Sequence, residues 1–244
     1  MKHGSMKQSL LSPAIALGLA AAMALALPAA AQPPKAGARI ELRDQSSRTL
    51  RAAAEAGLRR MTFDLGQGLP ANGKLPVDFP IAVSSFAELR QVTLGVGFEV
   101  NTVDPTALLY AKQTADIARM AKGTGVWKFV ILSKGQPVGL LEMNNVNGKW
   151  QAVGAGSSKL AQDVHAAAAS SVDGSFRFVR IYQATSDLME VRGRDSASRF
   201  VPLQSARQSL SLSSAKLADG TLSSQDLLPS LQAAVRANLA RAKR

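Results

Sequence analysis

No cysteine occurs among the 244 residues, histidine occurs only twice, and aromatic residues make up just 5%. Each shortage excludes something. Without thiols there is no disulfide to brace a fold in an oxidising compartment, no thiolate nucleophile and no thiolate metal site. A lipid anchor that needs a cysteine just after a leader is excluded on the same ground. His165 is the one histidine beyond the first few residues, so no multi-histidine metal centre can form. Long apolar runs are also scarce, with a single exception at the start.

That exception is the uncharged stretch from Leu10 to Leu27. Lys2 and Lys7 precede it, and Pro28 with the small residues Ala29-Ala30-Ala31 closes it. A basic start, an apolar middle and a small-residue cleavage site are the order of a secretory signal peptide, expected here over residues 1–31. A membrane anchor is the rival reading, because a span needs roughly 17 to 25 apolar residues. Against it, the run is mostly Ala, carries Pro13, and ends at a cleavage site rather than a basic stop-transfer cluster. The expectation is an exported chain, periplasmic or secreted.

The remainder is long enough for one sizeable domain or two small ones. Lys2 and Lys7 leave with the leader and no acid does, which takes the formal charge from +12 to +10. Residues 32–46 read as a flexible leader. Residues 47–210 read as an α+β domain, with a division into two subdomains near 123–125 kept open. Residues 211–244 form a Ser, Ala and Leu-rich tail.

Periodicity supplies the elements. Leu50, Ala54, Leu58 and Met61 recur at helical spacing, so Ser47 to Met61 is expected to be a helix, with Glu55 and Arg59 placed for a charge pair. Gly66 to Lys74 reads as a loop. Val92, Leu94, Val96, Phe98 and Val100 alternate with polar residues and glycine, the mark of a strand with one face solvated. Asp104-Pro105 suits a helix start, and that helix is expected to run to about Lys122. Residues 126–153 read as a three-stranded meander turning at Lys134-Gly135 and Asn147-Gly148. It holds both Trp127 and Trp150, and is expected to be the centre of the core.

A helix through Ala169, begun at Ser157 or Ser158, comes next. Strands follow over 176–183, 187–192 and 200–203. Leu227, Leu231, Val235 and Leu239 predict an amphipathic terminal helix that Pro229 kinks or delays. The expected architecture is therefore α+β: an antiparallel meander with helices packed on one face, plus the C-terminal helix. The Asn147-Gly148-Lys149-Trp150 hairpin with its following helix and strands resembles cystatin-type modules in layout, which implies no function.

Chemical motifs are thin. Ser213-x-x-Lys216 has the spacing of penicillin-recognising acyl enzymes, but Ser-Asp-Asn and Lys-Thr-Gly are absent. An envelope hydrolase using Ser213 and Lys216 is thus the enzymatic alternative, and no catalytic residue is assigned. Asp163 lies two residues from His165, on another helix face, and cannot orient its imidazole. Gly154-Ala155-Gly156 before a helix resembles part of a phosphate loop without its spacing, and a sharp strand-to-helix turn is the better reading. Gly95 and Gly97 are read as structural too.

Arginine is the distributed signal, and Arg177, Arg180, Arg192, Arg194 and Arg199 are the candidate binding residues. Tyr and Phe are not interleaved with them as a nucleic-acid stacking platform requires. No metal or cofactor is expected. The sequence points to a non-catalytic exported binding module whose basic surface meets an anionic envelope component or an acidic protein. A structural subunit docking through its terminal helix is the other alternative.

Overall fold

A computed structural model describes residues 36–67, 75–169, 171, 175–192, 197–213 and 220–242. The expected signal peptide, residues 1–31, lies outside them. The chain divides into Met1–Ile40 and Glu41–Arg244, and the second unit holds the sheet. Helix α1 (Ala36–Gln67) already begins inside the stretch expected to be a flexible leader. Its buried residues are those the spacing selected: Leu50, Ala54 and Leu58 are each at most 5% exposed.

The seven strands are β1 (Thr93–Thr102), β2 (Lys122–Ser133), β3 (Gln136–Val146), β4 (Lys149–Gly156), β5 (Phe176–Ile181), β6 (Ser186–Arg192) and β7 (Ser198–Pro202). They form one sheet in the order β4-β3-β2-β1-β5-β6-β7. Both expected hairpin turns are present. Lys134 and Gly135 have φ of 49° and 79°, and Asn147 and Gly148 have 52° and 79°, the paired positive values that match the twist of two antiparallel strands. Residues 123–125 lie inside β2, where Gly123 pairs with Asn101.

The centre of the sheet holds the one departure from antiparallel pairing. β1 and β5 run parallel through Val100–Phe178, Asn101–Val179 and Thr102–Arg180. This short seam is reinforced by side chains. The buried Asn101 Nδ2 donates to the Phe178 carbonyl at 3.2 Å, and Thr102 Oγ1 donates to that of Arg180 at 2.8 Å.

The α+β class, the meander and the terminal helix stand as expected, but helices cover both faces rather than one. Successive strand residues point to opposite sides, and the core divides accordingly. Phe129, Ile131, Leu141 and Met143 pack with α1, while Val130, Leu140, Phe178 and Met189 pack with α5 (Ser158–Ala169). Val179, Ile181, Leu188 and Phe200 pack with the terminal helix. Trp127 and Trp150 are half-buried at the margin of the α1 layer, and the fully buried centre is aliphatic and phenylalanine-rich. Gly97 has a packing reason: a Cβ there would stand 2.4 Å from the Phe129 ring.

The single helix expected from Asp104 to Lys122 is two short ones, α3 (Pro105–Leu109) and α4 (Ile117–Met120). Asp104 does cap the first, accepting from the Ala107 amide at 2.8 Å. Leu108 and Ile117, nine residues apart, would sit on opposite sides of one straight helix. Both are 0% exposed in the same core, so the chain breaks and Asp116 caps a second start, accepting from the Ala118 amide at 2.9 Å.

Helix α6 (Gln204–Ser209) follows β7, and α7 (Ser224–Arg241) closes the fold. α7 is not delayed by Pro229. A reciprocal capping box between Ser223 and Asp226 starts it ahead of the proline, and Leu227, Leu228, Leu231 and Val235 are all 0% exposed. The buried Gln232 Nε2 donates to the carbonyls of Leu108 at 3.0 Å and Ala111 at 2.9 Å, satisfying acceptors at the end of α3. The apolar face of α7 is thus occupied by the chain's own core.

Candidate functional site

Of the arginines singled out from the sequence, the side chains of Arg177, Arg180 and Arg199 are among the described residues. Arg177 and Arg180 lie on β5 with Glu190 and Asp187 directly opposite on β6. Arg177 Nε donates to Glu190 at 2.6 Å, and its Nη2 also donates to the Ala118 carbonyl. Arg180 grips Asp187 through two bonds, of 2.6 Å and 2.9 Å. Its guanidinium lies 5.5 Å from the Phe178 ring centre and 6.0 Å from that of Tyr182. The Asp187 hydrogen bonds raise the Arg180 pKa against the opposing effect of burial. Three residues apart on one strand, Arg177 and Arg180 face opposite sides of the sheet.

Arg199, on β7, lines a cleft that also contains Asp116, Arg119 and Ser224. Arg192 ends β6 with its side chain outside the described residues, as is all of Arg194. Among the described arginines of this set, Arg177 and Arg180 are cross-strand ties on opposite faces of the sheet, so these two do not share one patch.

The remaining motifs stay bland. Ser213 is exposed, and Lys216 lies outside the described residues. His165 is exposed on α5, while Asp163 accepts from the Gln204 amide at 3.0 Å. Gly154 and Gly156 belong to β4, paired with Glu142 and Leu140. Among the described residues no group of three or more His, Cys, Asp or Glu side chains is placed to hold a metal ion. None of the described helices is long and apolar enough to cross a membrane.

What the fold does bring together lies on the C-terminal half of α1. The expected Glu55–Arg59 pair is not made: Glu55 pairs with Arg51 at 3.3 Å, one turn earlier. Arg51 is held there because its guanidinium also donates to the Leu94 and Gly95 carbonyls, at 3.1 Å each. Arg60 pairs with Asp64 at 3.7 Å. Arg59, Phe63 and Gly66 then share a helix face distinct from the buried one, by their spacing of four and three.

This face meets α2 (Phe86–Leu89) and its C-cap residue Arg90 across a cleft of about 550 Å³. Arg59, Thr62, Phe63, Gln67, Phe86 and Arg90 line it, and among the described residues no carboxylate does. Arg90 stands 5.9 Å from the Phe86 ring centre. Gly66 admits that ring, since a Cβ in its place would fall 2.3 Å from it. A larger cleft of about 1000 Å³ lies between α1 and β4. Its charged lining is the Arg60–Asp64 pair, so it carries no net sign.

Glu88 fixes the far wall of the smaller cleft. Its carboxylate accepts from the Ser133 hydroxyl at 2.6 Å, the Ser84 hydroxyl at 2.6 Å and the Ser84 amide at 2.8 Å. Those bonds, the Ser133 one foremost, hold its pKa down at about 2 against an ordinary 4.5. A depressed carboxylate stabilises the fold fully above its unfolded value and loses that contribution as pH falls through the folded one. The stability difference between wild type and Glu88→Gln, from urea midpoints, is therefore expected to shrink from pH 4.5 downward and to flatten near pH 2. A pH-independent difference would refute the Glu88 assignment.

Sequence reasoning missed this cleft because it paired Arg59 with Glu55. The available signal was Phe63, an aromatic residue off the apolar stripe of its own helix. No protein-family model, curated protein or solved structure matches the chain, so the cystatin-type likeness stays one of layout.

Proposed function

We propose that this chain is an exported, non-catalytic binding protein of the cell envelope, periplasmic or secreted, which engages an anionic partner at the cleft between α1 and α2. The observation that carries the reading is the placement of Arg59 and Arg90 on one cleft that no carboxylate lines among the described residues. Guanidinium groups recognise phosphate and carboxylate through planar, paired hydrogen bonds. The basic start followed by an apolar run and Ala29-Ala30-Ala31 supports export, and the +10 formal charge left after residues 1–31 supports attraction to polyanions.

A salt titration tests it. Binding to vesicles of mixed phosphatidylcholine and phosphatidylglycerol is expected at low salt. It should fall at least tenfold when salt is raised to about 1 M, where screening reaches roughly 3 Å. Absence of binding at low salt would remove the reading.

A further inference from the structure

The cleft holds more than charge. Phe63 is 64% exposed on a helix that already has a well-buried apolar face. Single exposed apolar residues are ordinary on protein surfaces, but Phe63 shares its cleft with Phe86, and Arg59 and Arg90 line the same space. Two aromatic rings, of which Phe63 is the exposed one, and two guanidinium groups line about 550 Å³, a site with one apolar and one cationic requirement. That volume falls within the roughly 300 to 1000 Å³ of small-molecule sites. A purely ionic partner leaves the rings wet, and a purely apolar one leaves the arginines unused.

We infer that the cleft binds a single-chain amphiphile with an anionic head, an alkyl phosphate or fatty carboxylate. Arg59 and Arg90 take the head, and the chain lies over Phe63 and Phe86. The inference rests on the anionic-partner reading and narrows it from a charged surface to one ligand class. Charge complementarity selects the sign of the head, because both charged groups in the lining are cationic. The rings select a chain, because covering apolar surface is what removes Phe63 from water.

Titration calorimetry with octyl, decyl and dodecyl phosphate, each below its micellar concentration, tests this directly. Affinity is expected to rise about two- to fourfold per added methylene, the upper value being that of a fully buried group. Inorganic phosphate and dodecyl maltoside should each bind at least tenfold more weakly than dodecyl phosphate. Phe63→Ser, at an exposed position, should flatten the chain-length series. Arg59→Glu with Arg90→Glu should abolish the preference for phosphate over maltoside, with circular dichroism verifying that each variant is folded.

Affinity that does not change with chain length, or an unaltered series in folded Phe63→Ser, overturns the inference. If dodecyl phosphate fails while salt-sensitive vesicle binding persists, the amphiphile site alone falls. If both fail, the anionic-partner reading falls with it.

Discussion

Removal of residues 224–244 is expected to unfold the sheet domain rather than to release a dispensable tail. Leu227, Leu228, Leu231 and Val235 are 0% exposed and share a core with Val179, Ile181, Leu188 and Phe200 on the central and outer strands. Burying a side chain of this kind is worth about 1.5 to 3 kcal/mol, so the four together approach the roughly 5 to 15 kcal/mol that holds a whole domain. Polar losses add to this. Truncation strips the Gln232 donor from the Leu108 and Ala111 carbonyls, and the Asn238 donor from the Gln183 carbonyl at 2.8 Å. It also removes Ser224, whose hydroxyl accepts from the Ile117 amide at 3.0 Å.

The milder Leu231→Ala is expected to cost about 2 to 5 kcal/mol, the usual price of an aliphatic cavity. Urea unfolding followed by circular dichroism reads both effects. A truncated chain that still unfolds cooperatively at the wild-type midpoint would show that α7 is an appendage.

The second large effect is expected at Asp187. Replacing it by Ala should destabilise the fold by about 3 kcal/mol, because it leaves the Arg180 charge without its carboxylate. The side chains are 26% and 9% exposed, which places the pair well away from bulk solvent. Asp187 is also built into its surroundings: its amide donates to Ser205 Oγ and its carbonyl accepts from the Leu203 amide, both at 3.0 Å. The double variant Arg180→Met with Asp187→Ala should recover most of the loss, since a buried pair replaced by apolar groups is often neutral. Equilibrium unfolding of the two variants measures this. A loss under about 1 kcal/mol in the single variant, the worth of an exposed pair, would contradict the structural role given to Arg180.

The elements that rest on local chemistry were legible in the sequence. Asn147-Gly148 announces a tight turn because Asn and Gly both accept positive φ, and at Lys134-Gly135 the glycine carries that signal. Asp104-Pro105 announces a helix start, and the 50, 54, 58 spacing picks out the buried face of α1. What could not be read depends on partners distant in the chain. The break between α3 and α4 follows from two side chains reaching one core. The parallel seam follows from β5 returning beside β1 after the α5 crossover, a choice no periodicity records. Pro229 argued for a late start to α7, but the Ser223–Asp226 box and four buried side chains outweigh one missing amide.

The partners of the candidate arginines are hidden in the sequence for a related reason. Arg177 and Arg180 looked like a patch because their carboxylates are 13 and 7 residues away in sequence, yet directly opposite in the sheet. Arg59 looked paired because Glu55 is one turn away, yet the backbone carbonyls of β1 hold Arg51 closer to that carboxylate.

The central claim is that anion binding belongs to the α1–α2 cleft and not to net charge. It is tested most directly by comparing two charge-matched double variants on anionic vesicles at low salt: Arg59→Glu with Arg90→Glu, and Arg236→Glu with Arg241→Glu on the exposed side of α7. The first is expected to lose at least tenfold in binding and the second less than threefold. Equal losses would mean that the partner responds to overall charge, and the cleft would then have no claim to it.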